Sequence, residues 1–149
     1  MSSVKKLGHV VRYSEDPKRI SEFYRDVLGM EIVDTDRDYN LTFLKSKDAT
    51  NHDLSFTKIQ KMPHIAFEVE SLAVLQERHR RIQSLGMRVI STQNFGWSIS
   101  FTFEDPDGNL TELYWPTGRH FPHREPIDLE KSEAEINAIL DEIEKRKPA

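Results

Sequence analysis

The 149-residue sequence predicts an α+β fold in which two βαβββ modules join into one curved mixed sheet with helices outside, followed by a C-terminal helix. Three observations predict it. The second half repeats the first: Leu28-Gly29-Met30-Glu31-Ile32-Val33 returns as Leu85-Gly86-Met87-Arg88-Val89-Ile90, His9 returns as His64, and Asp53-Leu54 returns as Glu112-Leu113. Each half strings short runs of strand character around one stretch of helical period, which is how a duplicated unit reads. Neither half could bury a sheet face alone, so the two must share a core. The expected organisation is a single domain over residues 1–118, built of modules at about 5–60 and 61–116, with a linker and an amphipathic helix over 119–149.

Residues 7–13 suit a strand, and Asp16-Pro17 supplies a helix cap with proline at the first helical position. Ile20, Phe23, Tyr24, Val27 and Leu28 then recur at three- and four-residue spacing, predicting an apolar stripe toward a core until Gly29 stops the helix. Strands are expected over 31–34, 39–44 and 52–58, with a polar loop at 45–51. In the second module a strand begins at His64, and a helix is capped by Ser71 and ended by Gly86. Pro116, Gly118, Pro122 and Pro126 predict an irregular connection over 116–127. Ser132 and Glu135 form a capping box for a last helix, whose stripe of Ile136, Ile139, Leu140 and Ile143 needs cover from its own domain or a second subunit. That stripe makes a homodimer an expectation.

Composition narrows the function. Basic and acidic residues nearly balance, 21 against 25 for a net charge of −4, and no Lys/Arg block is interleaved with aromatics, so nucleic acid is not an expected partner. No apolar run reaches spanning length and the first residues lack the apolar core of a signal peptide, so no membrane partner is expected either, and the expected location is cytoplasmic. Cysteine is absent, which excludes disulfides, thiolate nucleophiles and cysteine-held metals. Any metal must sit on histidine, carboxylates and water.

The stretch Glu104-Asp105-Pro106-Asp107-Gly108-Asn109-Leu110-Thr111-Glu112-Leu113-Tyr114-Trp115 carries the chemistry. Pro, Asp, Gly and Asn in a row specify a tight turn, and the alternation after it reads as a half-buried strand. Glu112, in phase with Leu110 and Tyr114, is then a carboxylate on a sheet face, costly to bury unless paired or bound to a cation. His9 and His64 open repeat-related strands and can supply the partners. The expectation is one metal held by His9, His64 and Glu112. Against it stands the ordinary fate of a lone strand histidine, a hydrogen-bonded place in the core. His79 reads as structural or solvated, His120 and His123 as surface residues, and Phe95, Trp97 and Tyr114 as core packing or the apolar wall of a substrate pocket.

Phe23-Tyr24-Arg25-Asp26-Val27-Leu28-Gly29-Met30 and the Glu104-Asp105-Pro106-Asp107-Gly108-Asn109 turn before Glu112 resemble the vicinal oxygen chelate family, which includes glyoxalase I, fosfomycin and bleomycin resistance proteins and type I extradiol ring-cleaving dioxygenases. The resemblance covers residues 5–118. It implies that His9, His64 and Glu112 hold a divalent metal. The small single-domain extradiol members are the most similar in look, which implies Fe(II) or Mn(II), a small-molecule catechol substrate and His52 as the catalytic proton carrier. The glyoxalase I and fosfomycin branches imply instead a fourth-strand ligand, for which Asp53 stands opposite Glu112 in the repeat, with Zn(II), Ni(II) or Co(II) as further choices. Bleomycin-resistance relatives imply binding without a metal.

Strand parity favours Asp53, since His52 and Asp53 point to opposite faces of an undistorted strand and the repeat pairs Asp53 with Glu112. A bulge at the strand start reverses that. Phe95 and Thr102 stand where the extradiol pattern has a histidine and a tyrosine, so a ring-opening reaction here must take its proton handling from elsewhere, with His52 the candidate.

Overall fold

In the computed structural model, which describes residues 3–147, the elements follow the order βαβββ–βαβββ–βα. Contacts divide the chain into residues 7–66 and residues 67–149 with the N-terminal segment through Lys6. The division falls, in sequence, within β5 (His64–Glu68).

Residues 7–66 hold β1 (Lys6–Tyr13), α1 (Pro17–Leu28), β2 (Glu31–Thr35), β3 (Leu41–Lys45) and β4 (Leu54–Thr57), with strand order β2-β3-β4-β1-β5. β1 and β4 are parallel, Val10 opposite Leu54 and Val11 opposite Ser55, and the β2–β3–β4 pairings are antiparallel. Helix α1 begins as expected: the Asp16 carboxylate accepts from the Arg19 N–H at 3.0 Å, and Gly29 closes the helix in the left-handed region at φ 71°. Its apolar stripe is split, however. Ser21 is buried, its hydroxyl 2.6 Å from that of Thr42, and Tyr24 packs on Phe56, whereas Phe23, Val27 and Leu28 are 52, 62 and 61 % exposed. The hydroxyl pair seats the helix, turning positions 21 and 24 inward and 23 and 27 outward. β3 and β4 start later than expected because their first residues belong to turns: the Asp36 carboxylate accepts from the Leu41 N–H at 2.8 Å, and Asp53 closes the loop before β4.

Residues 67–149 hold the end of β5, α2 (Leu72–Ser84), β6 (Val89–Gly96), β7 (Ser98–Glu104), β8 (Leu110–Pro116), β9 (Pro122–Pro126) and α3 (Glu133–Arg146), with strand order β5-β8-β7-β6-β9. In register, Thr102 faces Glu112, Phe101 faces Leu113 and Ser100 faces Tyr114. Antiparallel partners point to the same side. One side therefore carries Ile99, Phe101 and Leu113 into the core against α2 and α3, and the other carries Ser100, Thr102, Glu112 and Tyr114. The expected irregular connection at 116–127 contains β9, an edge strand on β6. Its prolines occupy the first and last positions, Pro122 opposite Gly96 and Pro126 opposite Gln93, where a missing N–H on an edge is tolerated. The segment is thus partly sheet rather than linker. Past it, Gln76 Nε2 donates to the carbonyls of Leu129 and Lys131 at 2.9 and 2.6 Å, and the Ser132–Glu135 capping box starts α3 as read. Ile136 and Leu140 are fully buried within these residues, while Ile139 and Ile143 are partly buried.

His79 is a core residue, 5 % exposed, its ring edge-on to Phe101 at 5.1 Å and its Nδ1 3.5 Å from Glu130. Burial pushes its pKa down, with Arg80 adding to the fall and Glu130 and Asp128 opposing it. The unfolded chain therefore takes up a proton more readily than the folded one, so stability is complete above the ordinary imidazole range and falls as pH drops through that range toward the lowered native value. Urea midpoints of the wild type are expected to drop between pH 8 and pH 5.5 by more than those of His79→Gln. Equal drops would remove His79 as the cause.

Candidate metal centre

His9 lies in mid-β1 and is 7 % exposed, Glu112 lies in β8 and is 8 % exposed, and His64 is the first residue of β5. One ligand atom from each can be chosen so that all three lie within 4.8 Å of one another. Among the described residues this is the one group of three or more histidines and acids so placed. The His64 ring is oriented from behind: its Nδ1 is 2.7 Å from the Met62 carbonyl, which can only accept, so Nδ1 carries the proton and Nε2 is the basic nitrogen. A backbone carbonyl in that place fixes the tautomer of a ligating histidine and strengthens it as a donor. Two neutral imidazoles and one carboxylate fit Fe(II), Mn(II), Zn(II), Ni(II) or Co(II) by ligand type.

The loop before β4 places His52 and Asp53 in different surroundings. β4 begins at Leu54, so neither residue is in the strand and two-residue parity does not apply to them. The ring of His52 sits 4.7 Å from that of His9 and 4.8 Å from that of Phe43, centroid to centroid. Asp53 is tied into the loop. Its Oδ1 accepts from the Ser46 N–H at 3.0 Å, its other oxygen is bonded to the Ser46 hydroxyl, its N–H donates to Leu44 O and its carbonyl accepts from Val10 N–H. The premise of the parity preference for Asp53, a strand that includes residues 52 and 53, is thus corrected, with the turn as the physical reason. Asp53→Ala is expected to loosen the 46–53 loop, costing about 1–2 kcal/mol for the lost turn bonds while leaving metal stoichiometry intact. Chemical denaturation and elemental analysis of one preparation measure both, and a loss of metal would return Asp53 to the ligand set.

Phe95 and Trp97 are stacked at 6.4 Å, and Trp97 meets Tyr114 edge-on at 6.5 Å. These aromatics flank the side of β8 that carries Glu112. Thr102 stands directly across from Glu112. His120 is exposed, and His123 is partly buried beside Glu125 at 3.1 Å. Sequence reading missed Glu68, a carboxylate 9 % exposed that receives the Tyr114 hydroxyl at 3.3 Å and pairs with Lys5 at 3.1 Å and Lys6 at 3.6 Å. The signal was its phase: His64, Ala66 and Glu68 share one side of β5. Burial first, then Glu68, drives the Tyr114 pKa far above the ordinary phenol value.

Similarity to known proteins agrees with this architecture. The structure resembles a Mn(II)-bound glyoxalase from Novosphingobium aromaticivorans with TM-score 0.69 and 23% identity, over 83% of this chain and 42% of that one. It resembles homoprotocatechuate 2,3-dioxygenase from Brevibacterium fuscum with TM-score 0.67 and 22% identity, over 81% and 35%. The 2,3-dioxygenase LapB from Pseudomonas sp. KL28 follows with TM-score 0.64 and 20% identity, over 83% and 46%. The chain therefore spans less than half of each of these solved chains, and at such identities the likeness is one of fold. No curated protein matches the sequence. The family model described as Glyoxalase/Bleomycin resistance protein/Dioxygenase superfamily matches residues 6–113, and the chain belongs to that superfamily.

Proposed function

We propose that this protein is a divalent-metal-dependent oxidoreductase, an extradiol dioxygenase that opens the ring of a catechol-type diol beside its two hydroxyls, with Fe(II) or Mn(II) held by His9, His64 and Glu112. The observation that carries this reading is the size of the ligand set. Asp53, which the glyoxalase and thiol-transferase branches need as a fourth ligand, is bonded to Ser46. Two histidines and one carboxylate leave coordination positions open, as non-haem oxygenases require.

When bound, the metal supplies Lewis acidity that lowers the cost of ionising two adjacent hydroxyls. The chain's own residues do the rest. A ring nitrogen of His52, beside His9, takes the diol proton and returns it as the ring opens. Phe95, Trp97 and Tyr114 hold the aromatic ring and exclude water. Both atoms of dioxygen enter the product, and a ring carbon–carbon bond breaks. His52→Gln is expected to lower kcat by about 10²–10⁴-fold with metal content unchanged.

Oxygen uptake by the Fe(II)- and Mn(II)-loaded protein with a panel of catechols, run beside a hemithioacetal isomerisation assay, tests the assignment. Uptake with appearance of a yellow product is the expected result. Phe95 and Thr102, in places where extradiol relatives carry a histidine and a tyrosine, favour the glyoxalase-like lyase as the second reading. Isomerisation without uptake, lost in Asp53→Ala and kept in His52→Ala, would establish it.

A further inference from the structure

His64 follows an exposed turn, and that turn is tied to the sheet through Thr57. Thr57 is the last residue of β4, buried at 0 % exposure, and pairs with Tyr13 on β1 and with Leu41 on β3. Its carbonyl accepts from the Ser14 N–H at 2.9 Å. Thr57 therefore moves with the sheet. Lys58, Ile59, Gln60 and Lys61, which come next, are all exposed, and an exposed turn is where local opening costs least.

The Thr57 hydroxyl bridges two points of the turn, and its partners fix both directions. The Ile59 N–H only donates, so Oγ1 accepts from it at 3.1 Å, and the Met62 thioether only accepts, so Oγ1 gives its single proton to Sδ at 3.6 Å. The Met62 N–H closes the turn onto the Ile59 carbonyl at 3.1 Å. From the same residue, the Met62 carbonyl receives the His64 Nδ1 proton at 2.7 Å. Pro63 stands between them, its own φ fixed by its ring and its bulk biasing Met62 toward extended backbone, so carbonyl and imidazole are joined by a short, stiff stretch. A shift of Met62 is thus a shift of the acceptor that keeps the proton on Nδ1.

We infer that Thr57 is a positioning residue of the metal centre: its hydroxyl, through Ile59 and Met62, holds the carbonyl that fixes the tautomer of His64, and thereby sets the affinity of the site for its ion. This rests on His64 being a ligand of the proposed metal. Partners behind a ligating histidine are worth about 10–100-fold in metal affinity, and Thr57, one step further back, belongs at the lower end of that range. Ile59 is exposed, so without the hydroxyl its N–H turns to water, and the turn loosens while the sheet stays folded.

Thr57→Val, which keeps the shape of the side chain and removes the hydroxyl, is expected to weaken Mn(II) binding about ten-fold, measured by calorimetric titration of the metal-free protein. NMR of the histidine ring nitrogens in the metal-free protein, recorded above the ordinary imidazole range, should show His64 as the Nδ1–H tautomer in the wild type and as a mixture of both tautomers in the variant. Thr57→Ser, which keeps the hydroxyl, should stay close to the wild type in both readouts. Met62→Leu removes only the sulfur acceptor and should move both readouts the same way by less. A merely structural role would lower the unfolding midpoint of Thr57→Val and leave tautomer and affinity where they are. That result, or Thr57→Ser binding as weakly as Thr57→Val, would overturn the inference while the wild type still binds Mn(II). If Thr57→Val does not fold, unchanged readouts in Met62→Leu overturn it. A wild type that binds no Mn(II) would instead overturn the metal-centre reading, and this inference with it.

Discussion

Turnover by Glu112→Ala is expected to fall to background, and divalent metal to be lost with it, while the fold persists. Glu112 is the single carboxylate in the ligand group, so its removal leaves two neutral imidazoles, a set that has lost both a donor and the charge that offsets a dication. The fold should survive because Glu112 lies on the side of β8 away from the core formed by Phe101, Leu113 and their neighbours on α2 and α3. Deleting a buried carboxylate can even relieve a desolvation cost when no cation is bound. The expected signature is therefore a loss of more than about 10³-fold in kcat/KM together with an unfolding midpoint of the metal-free protein equal to or above that of the metal-free wild type. A variant that stays active, or one that fails to fold, would contradict the assignment of Glu112 to a metal rather than to structure.

The second large effect is on stability and falls on Gly96. Its φ of 79° lies in the left-handed region, and a Cβ built there would stand 2.1 Å from the Phe121 carbonyl oxygen and 2.8 Å from two carbons of its ring. The backbone of the segment leading into β9 passes this close because Gly96 pairs with Pro122. Gly96→Ala must push that segment off β6, and Phe121 is a buried member of the core. Strain from the backbone conformation and from the overlap together are expected to cost about 3 kcal/mol or more, a large part of a domain's stability. Gly108→Ala is the control. It has a similar φ of 81° with nothing within 4 Å of the added carbon, so it should cost only about 1 kcal/mol. Equal denaturation midpoints for the two variants would mean that the β6–β9 contact contributes little.

What could be read ahead of the structure follows from where the determining physics is local. The duplication, the caps at Asp16, Ser71 and Ser132, and the pairing of His9 with His64 are all patterns of sequence spacing, and the folded chain has them where they were expected. The position of Asp53 was not legible because parity assumes a strand, and a side chain that folds back onto Ser46 ends the strand before parity can act. Strand β9 was hidden by its own prolines, which weigh against a central strand but not against an edge. The split stripe on α1 was hidden for a different reason: the residues that seat the helix, Ser21 and Thr42, are polar, and a stripe drawn from apolar residues alone leaves them out. Glu68 was visible as a charged residue in an apolar strand, yet its partner Tyr114 lies 46 residues away in sequence, a pairing that only the strand order β5-β8 brings together.

The measurement closest to the central claim is the metal stoichiometry of the purified protein after reconstitution with Fe(II) or Mn(II), determined by elemental analysis in parallel for wild type, His9→Ala, His64→Ala, Glu112→Ala and Asp53→Ala. The account predicts one metal per chain in the wild type and in Asp53→Ala, and far below one in each of the other three. Metal content unchanged in His64→Ala and Glu112→Ala, or lost in Asp53→Ala, would contradict it.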